Sequence, residues 1–186
     1  MEYLLKNFSK YQARTLPTLF FPRFMLASAA LFLFSCNYTF KDISISPGAK
    51  TVNIHYIENR ARYKNPQLSP QLTERLRIKV NNQTRLTNVN NAAANDSDYD
   101  IQGWISNYDV TTSGVSNQQA SINRLTVTVH VIFKNRIEEK KSFEADVSRN
   151  FDFSANLTLN QAEAQLGDVI VRNMVDEIFN RVFSNW

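Results

Sequence analysis

The 186-residue sequence contains a single cysteine, four glycines and two histidines. One thiol excludes an intrachain disulfide, and four glycines leave little material for a glycine-rich phosphate-binding loop. His55 and His130 are far apart in the sequence, and neither has another histidine or a cysteine at metal-ligand spacing. The alternating Asp96, Asp98 and Asp100 lack the glycine and the bidentate glutamate of a calcium-binding loop. We therefore expect no metal and no catalysis.

The one cysteine, Cys36, ends a targeting segment. The segment Phe24–Phe34 carries no charge, follows several basic residues, and is shorter than the roughly 20 residues that a membrane-spanning helix needs. This pattern is typical of a signal peptide. Leu33-Phe34-Ser35-Cys36 resembles the lipobox of bacterial lipoproteins, although Phe34 is bulkier than the usual residue there. The basic residues of the lead-in are Lys6, Lys10, Arg14 and Arg23.

The lipobox resemblance implies a covalent lipid. In such proteins the cysteine thiol receives a diacylglycerol group, the preceding peptide is removed, and the new N-terminus is acylated. We therefore predict a signal peptide over residues 1–35, a lipidated tether over 36–50 and one domain over 51–186. A secretory signal without lipid, with Cys36 there by chance, is the alternative.

Global charge gives no indication of a nucleic-acid partner. The formal net charge is +4, but residues 1–35 hold four of the 21 basic residues and one of the 17 acidic ones. The remainder therefore has 17 basic and 16 acidic residues, for a net charge of +1. Because no strong positive field remains, any anion must be bound by a local cluster of cations.

Alternation of apolar and polar side chains predicts five strands. The alternation is cleanest over Asn123–Phe133. Tyr99, Ile101 and Ile105 share a parity that Tyr108 does not follow, which indicates a bulge near Ser106-Asn107. The predicted strands are Thr51–Ile57, Thr84–Val89, Tyr99–Val110, Asn123–Phe133 and a last strand over Phe143–Phe153, with polar loops at Glu58–Pro66 and Thr111–Ser121.

Two helices are predicted from apolar stripes that follow capping residues. The first begins at Ser69-Pro70, with Ser69 as the cap. The second begins at Asn160, with Glu163 completing a capping box. The stripes are Leu68, Leu72, Leu76 and Val80 in the first helix, and Ala162, Leu166, Ile170, Met174, Val175, Ile178, Phe179 and Val182 in the second.

The predicted order β-α-β-β-β-β-α has no helix between the later strands, and those strands are apolar on one face. An α/β (α+β) two-layer sandwich satisfies this pattern, with a mostly antiparallel sheet and both helices on its apolar face. The other face of the sheet, rich in Thr, Ser and Asn, is then free to meet a partner.

The order of elements and three sequence runs resemble one family. The runs are Lys50–Arg60, the strand segment Asn123–Val129 and the ending Ile178–Trp186. With the lipobox, they resemble the LptE family of outer-membrane lipoproteins of lipopolysaccharide assembly, in its Bacteroidetes-type form. The resemblance implies a lipid-anchored protein on the periplasmic face of the outer membrane, without a cofactor. It also implies that the protein plugs and helps assemble the β-barrel LptD and binds lipopolysaccharide on its way to the outer leaflet.

A lipopolysaccharide binder needs cations beside apolar surface, because its ligand carries phosphates and acyl chains. The best local cluster alternates cations with Ala61 and Tyr63, and a solvated loop is its alternative. The predicted lipopolysaccharide contacts are Arg60, Arg62, Lys64, Arg75, Lys79 and Arg124. For Arg75 and Lys79 an exposed helix face is the alternative, and for Arg124 an ordinary hairpin turn.

Trp104 and Tyr108 are the predicted contacts with a protein partner. Trp104 differs in parity from Tyr99, Ile101 and Ile105, so it is expected on the polar face of the sheet, where an exposed tryptophan suits an interface. Packing under a loop is the alternative for Trp104.

Two other functions fit the same sequence less well. The first is a lipid-anchored periplasmic accessory module of another secretion or envelope complex, which recruits protein instead of glycolipid. The second is a lipoprotein hydrolase. Measured turnover that is abolished by one carboxylate or hydroxyl substitution would favour the hydrolase.

The lipobox generates a direct prediction for Cys36→Ser. Without the thiol no diacylglycerol can attach, so the variant should remain uncut at this site or leave the membrane as soluble protein. Mass spectrometry of the mature N-terminus measures this. An unmodified cysteine in the mature wild-type protein would contradict the lipoprotein assignment.

Overall fold

The computed structural model describes residues 44–89, 96–116 and 119–184. These residues belong to one unit that covers residues 41–186. The predicted signal peptide, the lipidation residue Cys36 and the terminal Trp186 lie outside the described residues.

The described chain forms six strands, two α-helices and a short 3-10 turn. The elements are β1 Thr51–Ile54, β2 Glu58–Asn59, α1 Leu68–Gln83, β3 Thr87–Asn88, β4 Tyr99–Ser116, β5 Gln119–Asn135, the 3-10 turn Glu139–Lys141, β6 Phe143–Ser154 and α2 Leu159–Phe183. The predicted α+β class, with two helices on one mostly antiparallel sheet, is confirmed.

All six strands form one mixed sheet in the order β3-β1-β4-β5-β6, and β2 pairs with β4 beyond the end of β1. The three long strands β4, β5 and β6 are antiparallel neighbours, whereas β1, β2 and β3 pair in parallel. Helix α1 lies between β2 and β3 in the chain and returns it to the end of the sheet where β1 begins. Strand β3 can therefore run parallel to β1. Strand β4 is therefore bordered by β5 on one side and by β1 and β2 on the other.

The predicted bulge lies in β4. The register of β4 against β5 shifts between Ile105 and Asn107. Ile105 and Tyr108 both point into the core and are 0% and 4% exposed, as their change of parity predicts. The extra residue lets one strand keep apolar side chains on the same face along its whole length.

The core lies between the helices and one face of the sheet. Val127, Val129 and Val131 of β5 are at most 1% exposed. The predicted helix stripes are buried, apart from Leu166, which packs against the core while partly exposed. Burial of each such large apolar side chain contributes about 1.5–3 kcal/mol, which offsets the entropy of ordering the chain.

Strand boundaries on the β1 side differ from the prediction. Strand β1 ends at Ile54 instead of Ile57, and the N–H of Ile57 donates to Thr73 Oγ1 of α1 at 3.0 Å. Glu58–Asn59, predicted as loop, pairs with Trp104 and Ile105 of β4. Such short strands are set by distant partners and leave little local pattern.

The strand predicted over Thr84–Val89 is only Thr87–Asn88. Thr84 belongs to the end of α1, because its N–H and its hydroxyl both donate to Val80 O, at 2.9 and 2.6 Å.

Both helix starts were predicted at the wrong residue. Helix α1 has Gln67 as its N-cap without a side-chain cap, and the N–H of Gln67 donates to Asn65 Oδ1 at 2.9 Å. Ser69 is buried inside the first turn.

Helix α2 is capped by Thr158, which forms a capping box with Gln161. Glu163, predicted to complete the box, accepts hydrogen bonds from two tyrosines elsewhere in the fold. A sequence with two overlapping capping patterns does not show which one tertiary contacts select.

The loop predicted over Thr111–Ser121 is part of the β4–β5 hairpin. Both strands continue into it, to Ser116 and from Gln119, with register shifts around Gly114. Polar composition predicted a loop here, but an antiparallel hairpin that leaves the core can remain paired without any apolar face.

Residues 44–49, placed by the sequence in the tether, pack against the domain. Pro47-Gly48 forms a turn in which Gly48 has φ of 97° and the N–H of Ala49 donates to Ser46 O at 3.1 Å. Ser46 is buried, and its N–H donates to the hydroxyl of Tyr99 at 2.7 Å. The domain thus includes residues before β1.

The close approach of β4 and β5 gives a stability prediction at Gly103. A Cβ at this position would meet His130 O at 2.5 Å, which a side chain cannot occupy without separating the strands. Gly103→Ala should lower the free energy of unfolding by about 1–3 kcal/mol in urea titrations.

Gly167→Ala is the matched control. Gly167 lies inside α2 with no atom near the added Cβ, so the same change should raise stability by about 0.5–1 kcal/mol. Equal effects at the two glycines would contradict the close β4–β5 contact.

Candidate functional site

The predicted cation cluster follows β2. Because β2 adds to β4, the N–H of Arg60 donates to Ile105 O at 3.0 Å, which fixes the start of the cluster on the sheet. The Arg60 side chain donates to Glu58 Oε2 at 3.1 and 3.0 Å, and its guanidinium lies 4.4 Å from the centre of the Trp104 ring. Arg60 is therefore already held by an anion and an aromatic ring.

Arg62 and Lys64 differ from Arg60. Both are exposed, and neither forms an ion pair within the part of the chain that the structure describes. Tyr63 lies between them, stacks on Tyr108 with ring centres 5.5 Å apart, and donates its hydroxyl to Glu163 at 3.1 Å. Its stacking fixes the segment, so two available cations stand on an anchored backbone.

The two predicted cations of α1 join the helices to each other. Arg75 pairs with Asp168 of α2, and Lys79 pairs with Asp176 of α2 at 2.6 Å. Lys79 Nζ also lies 5.0 Å from the centre of the Phe179 ring. Their charges are thus partly neutralised by carboxylates, and they lie on the helix layer, apart from the β2 segment.

Arg124 is part of a cross-strand pair on the outer face of the sheet. Its Nε and Nη2 donate to the two carboxylate oxygens of Asp152, at 2.7 and 2.8 Å. These hydrogen bonds hold the pKa of Asp152 below its usual value. The structure does not bring Arg124 next to Arg62 and Lys64, since it pairs with β6.

Trp104 lies on the outer face, as its parity predicts, and is half-buried. It stacks on His130 of β5 with ring centres 4.3 Å apart, while Arg60 approaches from the β2 side. His130 Nδ1 in turn lies 2.8 Å from Asp146 of β6. This row crosses the sheet from β2 to β6, and packing against neighbours covers most of the indole.

Tyr108 is buried, so the structure presents no free Tyr108 surface to a partner. Its side chain is 4% exposed, and its hydroxyl donates to Glu163 Oε1 at 2.7 Å. Burial, followed by the hydrogen bond to Glu163, raises the pKa of Tyr108. The bulge turns the parity of β4, which places Tyr108 on the helix side. Tyr108 lines a cavity of about 240 Å³ between the starts of α1 and α2.

A polar network around Asp100 was not predicted. Asp100 is 2% exposed, and its Oδ1 lies 3.0 Å from Asn53 Nδ2 and 2.8 Å from His55 Nε2, while Gln102 Nε2 donates to its Oδ2 at 2.7 Å. Burial raises the pKa of Asp100, but the hydrogen bonds from Gln102, His55 and Asn53 outweigh it, so the net shift is downward. The parallel β1–β4 pairing brings these side chains together. In the sequence, the only sign of the network is that polar residues alternate with apolar ones in both strands.

Asp98 fastens the start of β1. Its Oδ2 accepts from the N–H of Lys50 at 2.8 Å and from the N–H and hydroxyl of Thr51, both at 2.9 Å. The bond from the Lys50 N–H is the main cause that lowers the pKa of Asp98. Two of the three alternating aspartates thus serve the protein's own hydrogen bonds, and the described residues contain no group of three potential metal ligands.

Neither described helix has an apolar stretch long enough to span a bilayer.

One family model matches the chain. It is LptE, described as lipopolysaccharide-assembly, and it matches residues 49–182. This range contains nearly all of the described domain, from the residue after the Pro47-Gly48 turn to the last turn of α2. No curated protein sequence matches the chain.

Several solved structures are similar to this chain at low sequence identity. A hypothetical protein from Chlamydia trachomatis has 10% identity and a TM-score of 0.50, covering 72% of this chain and 98% of that one. A minor lipoprotein from Acinetobacter baumannii has 16% identity and a TM-score of 0.47, covering 72% and 91%. The rare lipoprotein B from Shewanella oneidensis has 16% identity and a TM-score of 0.43, covering 71% and 90%.

The family model spans most of the sequence and both layers of the fold. The chain therefore belongs to the LptE family, and its role is in lipopolysaccharide assembly.

Proposed function

We propose that this chain is a lipid-anchored lipoprotein on the periplasmic face of the outer membrane. It plugs and helps assemble an LptD-like β-barrel, and it binds lipopolysaccharide on its way to the outer leaflet. The observation that carries the proposal is the LptE match over residues 49–182. The lipid anchor is the diacylglycerol and N-acyl group on Cys36, which the lipobox-like run predicts.

The β2–α1 segment is the proposed lipopolysaccharide contact. A phosphate needs cations that no internal carboxylate already occupies, because displacing an existing ion pair costs part of the new interaction. Arg62 and Lys64 meet this requirement, whereas Arg60, Arg75, Lys79 and Arg124 are paired. Tyr63, 38% exposed, supplies adjacent apolar surface for an amphiphile.

The outer face of the sheet suits a polar barrel lumen. Its side chains form cross-strand pairs, such as Thr126 with Asn150 at 2.9 Å and Thr128 with Ser148 at 3.0 Å. These pairs stiffen a hydrated surface without exposing a large apolar patch. The lumen of membrane β-barrels is polar as well, so the two surfaces are compatible.

Charge reversal tests the lipopolysaccharide contact. The double variant Arg62→Glu, Lys64→Glu should weaken lipopolysaccharide binding about tenfold, since two exposed charge contacts each contribute roughly 0.2–1 kcal/mol and become repulsive. Binding is measured by titration of purified lipopolysaccharide onto the full-length protein in detergent, with thermal unfolding as the check on folding.

The matched control is Arg85→Glu, Lys140→Glu, which changes net charge equally at two exposed positions away from the segment. An equal loss of affinity in both double variants would show a general charge effect and remove Arg62 and Lys64 from the proposed contact.

Purification from membranes tests the barrel partner. The dominant companion should be a large outer-membrane β-barrel, and depletion of the protein should lower surface lipopolysaccharide. The Arg62→Glu, Lys64→Glu variant should still co-purify with the barrel, because the barrel contact does not depend on these cations. A secretin-like ring as the dominant companion would favour an accessory role in secretion instead.

A further inference from the structure

Strand β6 is a long edge of the sheet. It spans Phe143–Ser154 and, within the described part of the chain, pairs only with β5. Its register against β5 runs from Phe143↔Phe133 to Ser154↔Ile122 without a shift. In an antiparallel edge strand every second residue points its N–H and C=O away from the sheet. The edge therefore offers an extended row of unpaired backbone groups.

Two of the devices that block an edge, proline and a bulge, are missing from β6, while its exposed charges remain. It is also longer than the typical strand. One charge, Arg149, has the parity of the apolar side chains, but it pairs with Glu177 of α2. An unpaired inward charge would repel an added strand, whereas this one is neutralised by the helix.

Helix α2 leaves the edge open. A groove of about 420 Å³ runs beside the middle of β6, and its lining includes Asp146 and Ser148 on the strand side and Asn180 and Arg181 on the helix side. A strand added to a sheet lies about 4.8 Å from its neighbour. The groove lies beside the unpaired side of β6, where such a strand would bind.

The charges beside the groove define what fits it. Glu144 and Asp146, whose side chains are 66% and 64% exposed, stand on the outer face of β6 beside the ring of His130, with Nε2 3.9 Å from Glu144 and Nδ1 2.8 Å from Asp146. On the inner side Arg181 lies over the Phe143 ring at 5.0 Å. An added strand therefore meets acids on the outer face and a cation on the inner face.

A second copy of this chain fits the edge poorly. Symmetric antiparallel pairing of two β6 strands, centred on Arg149, places Asp146 opposite Asp152 of the other copy. A shift by one residue in each copy places Glu144 opposite Asp152. Like charges directly opposite each other destabilise a strand pair, so the charges disfavour self-pairing in these two registers.

We propose that β6 and the groove beside it bind an extended segment of a partner protein by strand addition. The segment carries basic side chains at alternate positions, facing Glu144 and Asp146, and uncharged side chains at the positions between them. Main-chain hydrogen bonds along the edge supply the affinity, and the alternating charge supplies the selectivity. The proposal does not depend on which envelope complex the chain joins.

Peptide binding followed by amide hydrogen exchange tests this proposal on the full-length protein in detergent. The probe is a nine-residue peptide of alternating threonine and lysine. It should slow exchange at alternate amides of β6, and a peptide with glutamate in place of lysine should bind about tenfold more weakly, as expected from several cross-strand charge pairs. A peptide N-methylated at alternate residues should not slow exchange.

Glu144→Lys reverses one of the selecting charges. The variant should reduce the ratio between the affinities for the lysine peptide and the glutamate peptide about fivefold. The reason is that one attractive cross-strand pair becomes repulsive. Glu74→Lys changes net charge equally on the exposed side of α1 and should leave this ratio unchanged.

Four results would overturn the proposal. No slowing at β6 with any peptide would exclude strand addition, and equal binding of the N-methylated peptide would show surface attraction alone. Slow exchange of the β6 edge in the peptide-free monomer would show that the chain covers its own edge. Slow exchange together with a concentration-dependent dimer would show self-pairing.

Discussion

The pairing of β4 with β5 is the interaction on which the rest of this structure depends. It runs from Tyr99↔Asn135 at the base of the sheet to Ser116↔Gln119 near the hairpin end. Strand β4 also receives β1 and β2 on its other side, so it positions the segment that carries Arg62. The close approach at Gly103 allows this central pairing, because the backbone of β5 occupies the space of a side chain. A change in the distance between β4 and β5 would therefore shift the surfaces on β2 and β6 relative to each other.

Several surface charges in this domain form ion pairs that join its elements. Arg124 with Asp152 joins β5 to β6, Lys79 with Asp176 joins the two helices, and Arg149 with Glu177 joins β6 to α2. Each exposed pair contributes little to stability, but together they remove cations and anions from the surface that a ligand meets. In a domain with almost balanced charge, the charges outside these pairs then decide where an ionic partner binds.

The sequence predicted those elements whose pattern is local. The valines of β5, the leucine stripe of α1 and the change of parity that marks the bulge before Tyr108 all follow from burial on one face, which has a fixed period. Prediction failed where a distant partner decides. Glu58–Asn59 is a strand only because β4 lies beside it, and Thr158 caps α2 while Glu163, the predicted capping partner of Asn160, accepts from Tyr63 and Tyr108.

The same distinction applies to the candidate site. The sequence yielded six candidate cations and ranked the cluster of Arg60, Arg62 and Lys64 first, but it did not show which of the six would be paired, since a basic residue carries no mark of its future partner. The fold separates them, because ion pairs such as Arg75 with Asp168 form between segments far apart in the chain. The buried network of Asp100 with Asn53, His55 and Gln102 was missed for the same reason, as it requires the parallel pairing of β1 with β4.

The two unoccupied surfaces lie on opposite sides of β4 and carry opposite charge. Arg62 and Lys64 follow β2, whereas Glu144 and Asp146 lie on β6, three strand positions away and thus about 14 Å across the sheet. An anionic glycolipid is attracted to the first surface and repelled by the second, and a basic peptide segment behaves in the opposite way. The two proposed ligands therefore have separate contact surfaces. The proposed lipopolysaccharide contact and the proposed strand addition are thus compatible in one domain, and the paired strands β4 and β5 connect the two surfaces.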